Sequence, residues 1–260
     1  MLREMVRYKL RELREAKSEV PLESLRRSLA DVTPTRDLLS ALQDRKPAII
    51  AEIKRRSPSA GWIRPQADPG RIAELYQEAG AAAISVLTEQ RYFGGHPTFL
   101  RLVRTRVSIP VLRKDFIVDP YQIYESRALG ADGVLLIASL LKGKRLDIMV
   151  DLAHTLGLCA LVEVHTEEQL QMALEAGARL VGINNRDLRT LRTELTTTME
   201  LAPLVPKGVT LVSESGISCR KHVKLLMDAG VGAFLVGEAL MRAPDPAEKL
   251  QELLGKEKNP

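Results

Sequence analysis

The chain has 260 residues, 45% apolar and 27% charged, with a net charge of +5. That length exceeds one ordinary domain and suits a single α/β barrel with a large core. The composition argues against a membrane partner, since no apolar run approaches the roughly 18 residues of a span. It argues against nucleic acid too, because Arg and Lys are interspersed with Glu instead of clustering with aromatics. An anionic small molecule remains compatible with the positive balance.

In chain order, Met1-Leu2-Arg3-Glu4-Met5-Val6-Arg7 is too charged for a signal peptide. Residues 1–45 read as a helical extension, with Leu2, Val6, Leu10 and Leu13 expected on one face and further leucines at 22, 25, 29, 38, 39 and 42. From Pro47 the pattern changes to strand, loop and helix, repeated eight times over residues 46–260. The apolar runs are Pro47 to Ile53, Ala81 to Leu87, Ile109 to Leu112, Gly133 to Ala138, Leu158 to Val164, Leu180 to Ile183, Val209 to Val212, and Ala233 to Val236. Amphipathic stretches separate them, and four of these run into Gly80, Gly130, Gly177 and Gly230, the usual left-handed stop. Eight such units predict a closed (β/α)8 TIM barrel with an N-terminal helical extension. The rival open sheet would want a Gly-x-Gly-x-x-Gly turn after a strand, and none is present.

Cys159 and Cys219 have no metal or redox spacing; they read as small buried residues of a cytoplasmic chain. The histidines show no metal spacing, and His165 near the fifth strand is expected to be satisfied by packing. Asparagine occurs only at 184, 185 and 259, which with abundant Arg and Glu hints at a thermophilic source. In such a chain an adjacent asparagine pair is expected to have a specific task.

Polar residues gather where the strands end. Glu52, Lys54, Lys114, Glu163, Asn184, Arg186, Glu214 and Ser215 all fall at carboxyl ends, where barrels of this kind place catalysis. Any one of these charges reads as a structural ion pair. Five acids and amines at one rim, Glu52, Lys54, Lys114, Glu163 and Glu214, read as a proton-transfer site whose members shift one another's pKa values. Ser215-Gly216 after the seventh strand and Gly237-Glu238 after the eighth suit a phosphate held by backbone N–H groups, with Ser57 adding a hydroxyl. Arg186 suits a carboxylate.

Several blocks resemble the indole-3-glycerol-phosphate synthase family: Ala51-Glu52-Ile53-Lys54-Arg55-Arg56-Ser57-Pro58-Ser59, Arg91-Tyr92-Phe93-Gly94-Gly95, Leu112-Arg113-Lys114-Asp115-Phe116, Gly182-Ile183-Asn184-Asn185-Arg186-Asp187-Leu188 and Ser213-Glu214-Ser215-Gly216-Ile217. The similarity spans nearly the whole chain; His96 stands where the family has a serine. The resemblance implies conversion of 1-(2-carboxyphenylamino)-1-deoxyribulose 5-phosphate to indole-3-glycerol phosphate, CO2 and water, with no cofactor and no metal, by a monomer or homodimer. It implies Lys114 as general acid, Glu163 as its partner, Lys54 on the substrate carboxylate with a part in dehydration, and Glu52 in later proton removal or lysine tuning. Asn184 and Arg186 would orient the anthranilate end, Phe116 would face the ring, and Glu214 would bind sugar hydroxyls. Ser57, Ser215, Gly216, Gly237 and Glu238 would line the phosphate pocket. A Schiff-base aldolase and a non-catalytic phosphate-binding barrel are the alternatives.

Overall fold

Eight parallel strands close on themselves: β1 (Ala48–Ile53), β2 (Ala83–Leu87), β3 (Val111–Lys114), β4 (Gly133–Ile137), β5 (Cys159–Val164), β6 (Leu180–Asn184), β7 (Thr210–Glu214) and β8 (Ala233–Val236). The computed structural model describes residues 2–187 and 190–256. β8 returns to β1 in parallel, from Ala48 opposite Ala233 to Ala51 opposite Val236. The expected (β/α)8 barrel is therefore the fold. Two strands, β2 and β3, start two residues later than their apolar runs. The Ala81 N–H still closes the preceding helix on Tyr76 O, and Pro110 has no N–H for a ladder. β3 also runs on to Lys114, so this lysine sits on the barrel wall rather than in a loop.

Both faces of each strand are buried, which is why the runs read as continuous apolar stretches. Ile50, Leu112, Leu161 and Val212 pack inside the barrel. Ile49, Ile84, Val162 and Phe234 point outward under the helices. The period of two then decides the rim. Two residues beyond the inward Ile50, Leu112, Leu161 and Val212 come Glu52, Lys114, Glu163 and Glu214.

The helices begin on local signals. Asp68, Asp119 and Asp245 each precede a proline at the first helical position and accept a backbone N–H with the side chain. His96 does the same before Pro97, its Nδ1 accepting from Thr98 N at 3.2 Å. A ring nitrogen thus fills the acceptor role open to a serine hydroxyl. Gly80, Gly130, Gly177 and Gly230 all have positive φ, as expected of helix stops.

Three helices precede β1: α1 (Leu2–Glu19), α2 (Leu22–Ser28) and α3 (Leu38–Gln43). α3 seals the amino end of the barrel, where Leu38 and Leu42 join Ala48, Ala83, Leu180 and Ala233. α1 crosses the opposite end, and its buried face differs from the expected one. Met5, Lys9 and Leu13 are buried, whereas Leu10 is 43% exposed. Hydrophobicity alone misplaces the face because a lysine occupies it. Lys9 Nζ pairs with Asp115 Oδ1 at 2.9 Å and with Glu12 Oε2 at 2.6 Å. The cysteines are half-buried rather than fully buried. Among the described residues, no helix is long and apolar enough to cross a membrane.

Candidate active site

At the carboxyl end of the barrel lies a cleft with about 830 Å³ of empty space, part of it open to solvent. Lys114 stands at its centre. Its Nζ is 2.5 Å from Glu214 Oε2 and 3.5 Å from Glu52 Oε2, while Lys54 Nζ is 2.7 Å from Glu52 Oε1. Glu163, two strands along the wall from Lys114, lies 3.8 Å through Oε1 from His165 Nε2. Three carboxylates thus surround two ammonium groups away from bulk water.

The charges do not balance, and the pKa shifts follow from that. Burial pushes the Glu214 carboxyl up to about 7, although Lys114 pulls it down. Burial likewise raises Glu163 above the ordinary carboxylate range, against the pull of Lys114 and the Asn184 amide. Burial would raise Glu52 too, but Lys54 and Lys114 outweigh it and hold its carboxyl low. Burial disfavours the Lys114 cation, yet Glu214, Glu52 and Glu163 outweigh it and keep the ammonium protonated beyond its usual range. One site therefore combines a firmly protonated amine with two carboxyls that keep their protons to higher pH than ordinary ones, Glu214 up to about 7.

The asparagine pair divides its work. Asn184 lines the cleft, and its Oδ1 accepts from Arg186 N at 3.0 Å. Asn185 turns away and stitches β6 to β7. Its Nδ2 donates to Ser213 Oγ, Glu214 O and Ser215 O, each at 3.0 Å, and its Oδ1 accepts from Thr198 N and Oγ1. Ser215 has φ of 66°, a left-handed backbone that a non-glycine residue seldom adopts, and Gly216 follows at 79°. Asn185 pins that turn. Asn185→Ala is expected to lose about 2–3 kcal/mol of stability, from several buried hydrogen bonds and the groups left unpaired. Urea unfolding checks the stability, and an unchanged midpoint would contradict the stitching role.

Most residues expected at the site converge on this cleft. Glu52, Lys54, Lys114, Glu163, Asn184 and Arg186 line it, and so do Ser57, Phe116 and Ser215. Glu214 lies beneath, fully buried. Gly216 is exposed just beyond Ser215. Gly237 backs onto Glu52. The Glu238 side chain turns to Arg242 at 3.0 Å and Arg186 at 3.7 Å. Arg186 also donates to Ser59 Oγ at 2.6 Å, tying the loop after β6 to the loop after β1. Leu188 lies outside the described residues.

Sequence reasoning missed the apolar wall. Leu2 and Met5 of α1, Phe93, Leu135 and Ile137 all face the cleft. Phe93 meets Phe116 with ring centroids 6.2 Å apart. The signal for its placement was Glu89, whose buried carboxylate accepts the backbone N–H groups of Arg91, Tyr92 and Phe93 and so folds that loop.

A closed parallel barrel with a buried lysine–glutamate cluster at its carboxyl mouth defines an acid–base enzyme of the (β/α)8 class. The model of the family described as indole-3-glycerol phosphate synthase matches residues 2–253. The indole-3-glycerol phosphate synthase of Carboxydothermus hydrogenoformans is 49% identical over 261 residues, covering 97% of this chain and 99% of the relative. That of Dehalococcoides mccartyi is 46% identical, covering 98% and 100%. This chain belongs to the indole-3-glycerol phosphate synthase family. Solved structures show the same fold at lower identity. KGPDC from Streptococcus mutans superposes with a TM-score of 0.64 at 14% identity, covering 81% of this chain and 96% of that one. Thiamine phosphate pyrophosphorylase from Pyrococcus furiosus gives 0.61 at 19%, covering 81% and 95%.

Proposed function

We propose that this cleft closes the indole ring of 1-(2-carboxyphenylamino)-1-deoxyribulose 5-phosphate, releasing CO2 and water as indole-3-glycerol phosphate forms. The observation that carries the reading is the Lys114 ammonium, held between Glu214 and Glu52 on the floor of a cleft with an apolar wall and a rim of Lys54, Arg186, Ser57 and Ser215. Phe93, Phe116, Leu135 and Ile137 suit the aromatic ring. Lys54 takes its carboxylate, and Asn184 and Arg186 orient that end. The phosphate lies toward Ser57, Ser215, Gly216, Gly237 and the backbone of Glu238.

The chemistry needs a proton donor first. The ring carbon bearing the carboxylate attacks the ketone, and Lys114 protonates the oxygen as its double bond opens. Ring closure leaves an iminium beside the carboxylate. The C–C bond to CO2 then breaks, and its electrons return to nitrogen. Rearomatisation loses a ring proton and a hydroxide, which leaves as water with a proton from an acid. Glu163 exchanges protons in these steps, with Lys54 contributing to dehydration. Glu52 takes the later proton or tunes the lysines, and Glu214 holds sugar hydroxyls while orienting Lys114. A Schiff-base amine must instead shed its proton, which the three carboxylates around Lys114 oppose.

The test is to mix protein and substrate without added metal or cofactor and follow indole fluorescence; no turnover would defeat the reading. A pH profile adds a second check. Glu163 and Glu214 have raised pKa values, so they lose their protons at higher pH than ordinary carboxyls. The acidic limb of kcat/KM is expected near pH 7, where Glu214 titrates. The alkaline limb is expected above the ordinary lysine range, since Lys114 is raised. A flat profile between pH 5 and pH 9 would count against proton transfer by this cluster.

A further inference from the structure

Two inward-facing positions at the level of the catalytic cluster carry no side chain. Gly182 lies on β6 between the inward Leu180 and Asn184, beside Glu163 on β5 and Val212 on β7. Gly237 follows β8, beside Glu52. Glycine weakens a strand interior because it gives up backbone freedom and packs nothing, so its presence there calls for a close approach. At Gly182 the backbone does not supply the reason. It is absent from the positive-φ glycines, so other residues could adopt its conformation. The reason is what lies above it. A Cβ at Gly182 would overlap Glu214 Oε1 and come within 3.3 Å of Glu214 Cδ. A Cβ at Gly237 would come within 2.5 Å of Glu52 Oε1. Both carboxylates that pair with Lys114 thus lie over a bare glycine, Gly182 within the neighbouring strand β6 and Gly237 just past the neighbouring strand β8.

We propose that Gly182 is a positioning residue of this site: its missing side chain is the seat into which the Glu214 carboxylate folds so that Oε2 reaches Lys114. The proposal rests on the reading that the Lys114–Glu214 pair belongs to the active site. Glu214 Oε1 is buried and makes no hydrogen bond. Space, rather than a donor, therefore fixes that end of the carboxylate, while Lys114 holds the other end at 2.5 Å. One methyl group at position 182 would push Oε1 upward and turn Oε2 away from the ammonium. The second neighbour of the added methyl, Leu161 Cδ1 at 3.2 Å, is the tip of a flexible side chain.

The experiment is a cycle between positions 182 and 214, read by kcat/KM and by melting temperature. Gly182→Ala alone is expected to lower kcat/KM more than tenfold. In the Glu214→Asp background the shorter side chain withdraws from the added methyl, and the same change is expected to cost less than twofold. An equal fold loss in both backgrounds overturns the proposal, and so does wild-type kcat/KM in Gly182→Ala. Should Gly182→Ala fail to fold, the Glu214→Ala background decides. Recovery of folded protein there supports the seat, and failure in both backgrounds places the clash elsewhere and overturns it. Near-wild-type kcat/KM in Glu214→Asp and Glu214→Ala would instead defeat the catalytic reading of the pair. The seat is then judged by whether Gly182→Ala lowers the melting temperature with Glu214 present and not with Glu214→Ala.

Discussion

Lys114→Met is expected to lower kcat by about 10²–10⁴-fold, the range that one general acid contributes. The reason is local. No other amine among the described residues sits between Glu214 and Glu52 and faces the cleft from the strand wall. Removing it leaves three carboxylates in a buried pocket with one remaining lysine. Without that cation, Glu163 and Glu214 rise further and take up protons, because Lys114 is the charge that now pulls both down. The folded variant should therefore tolerate low pH better than high pH. Lys114→Arg separates the two functions of the lysine. It restores the charge but does not give up a proton at any working pH. Arginine should thus recover stability without recovering kcat. Steady-state turnover and a urea midpoint measured across pH test both halves. Substantial kcat in the methionine variant would remove Lys114 from the proton-transfer step.

Lys9→Met is expected to lower stability by about 3–5 kcal/mol, the range for breaking a buried pair from one side. Lys9 is 6% exposed and Asp115 4%, so the carboxylate has protein partners in place of water. Asp115 accepts from Thr88 Oγ1 at 2.6 Å and from Arg113 at 3.1 Å, and Arg113 in turn pairs with Glu125 at 2.6 Å. Burial would raise the Asp115 carboxyl, but Lys9 and Arg113 outweigh it and hold it at about 2. Its folded pKa lies below its unfolded value of 3.8. Its contribution, about 2 kcal/mol by linkage, is thus complete above pH 3.8 and disappears as pH falls through about 2. Removing Lys9 raises the folded pKa and moves the acid-unfolding limb to higher pH. Urea midpoints at pH 7 and pH 4 check this. An unchanged midpoint at pH 7 would mean that Met5 and Leu13 hold α1 without the ion pair. Because Leu2 and Met5 face the cleft, loosening α1 should also raise KM.

How far the site was legible follows from the same contacts. Glu52, Lys114, Glu163 and Glu214 were readable because each stands two residues past an inward apolar residue, at the end where barrel chemistry lies. Asn185 was readable as purposeful, from the scarcity of asparagine, but its purpose was not. Only the approach of β7 shows that it holds the left-handed turn at Ser215. Phe93 and Met5 were invisible as cleft residues, since nothing in their local sequence separates a cleft-facing apolar side chain from a core one. The buried face of α1 was misjudged because a lysine enters the interior once Asp115, more than a hundred residues away in sequence, meets it there.

The sequence by itself determined the alternation of strand and helix, the closed barrel and the concentration of charge at its carboxyl mouth. These depend on periodicities of two and 3.6 residues and on caps such as Asp68-Pro69 and Asp119-Pro120, which act within a few residues. Tertiary structure decided which acid meets which amine, that Glu214 rather than Glu163 touches Lys114, and that Gly182 leaves room for it. Those pairings depend on the register between strands and on atoms only a few ångströms apart. Neither is encoded in any one stretch of chain, because each exists only after all eight strands have closed.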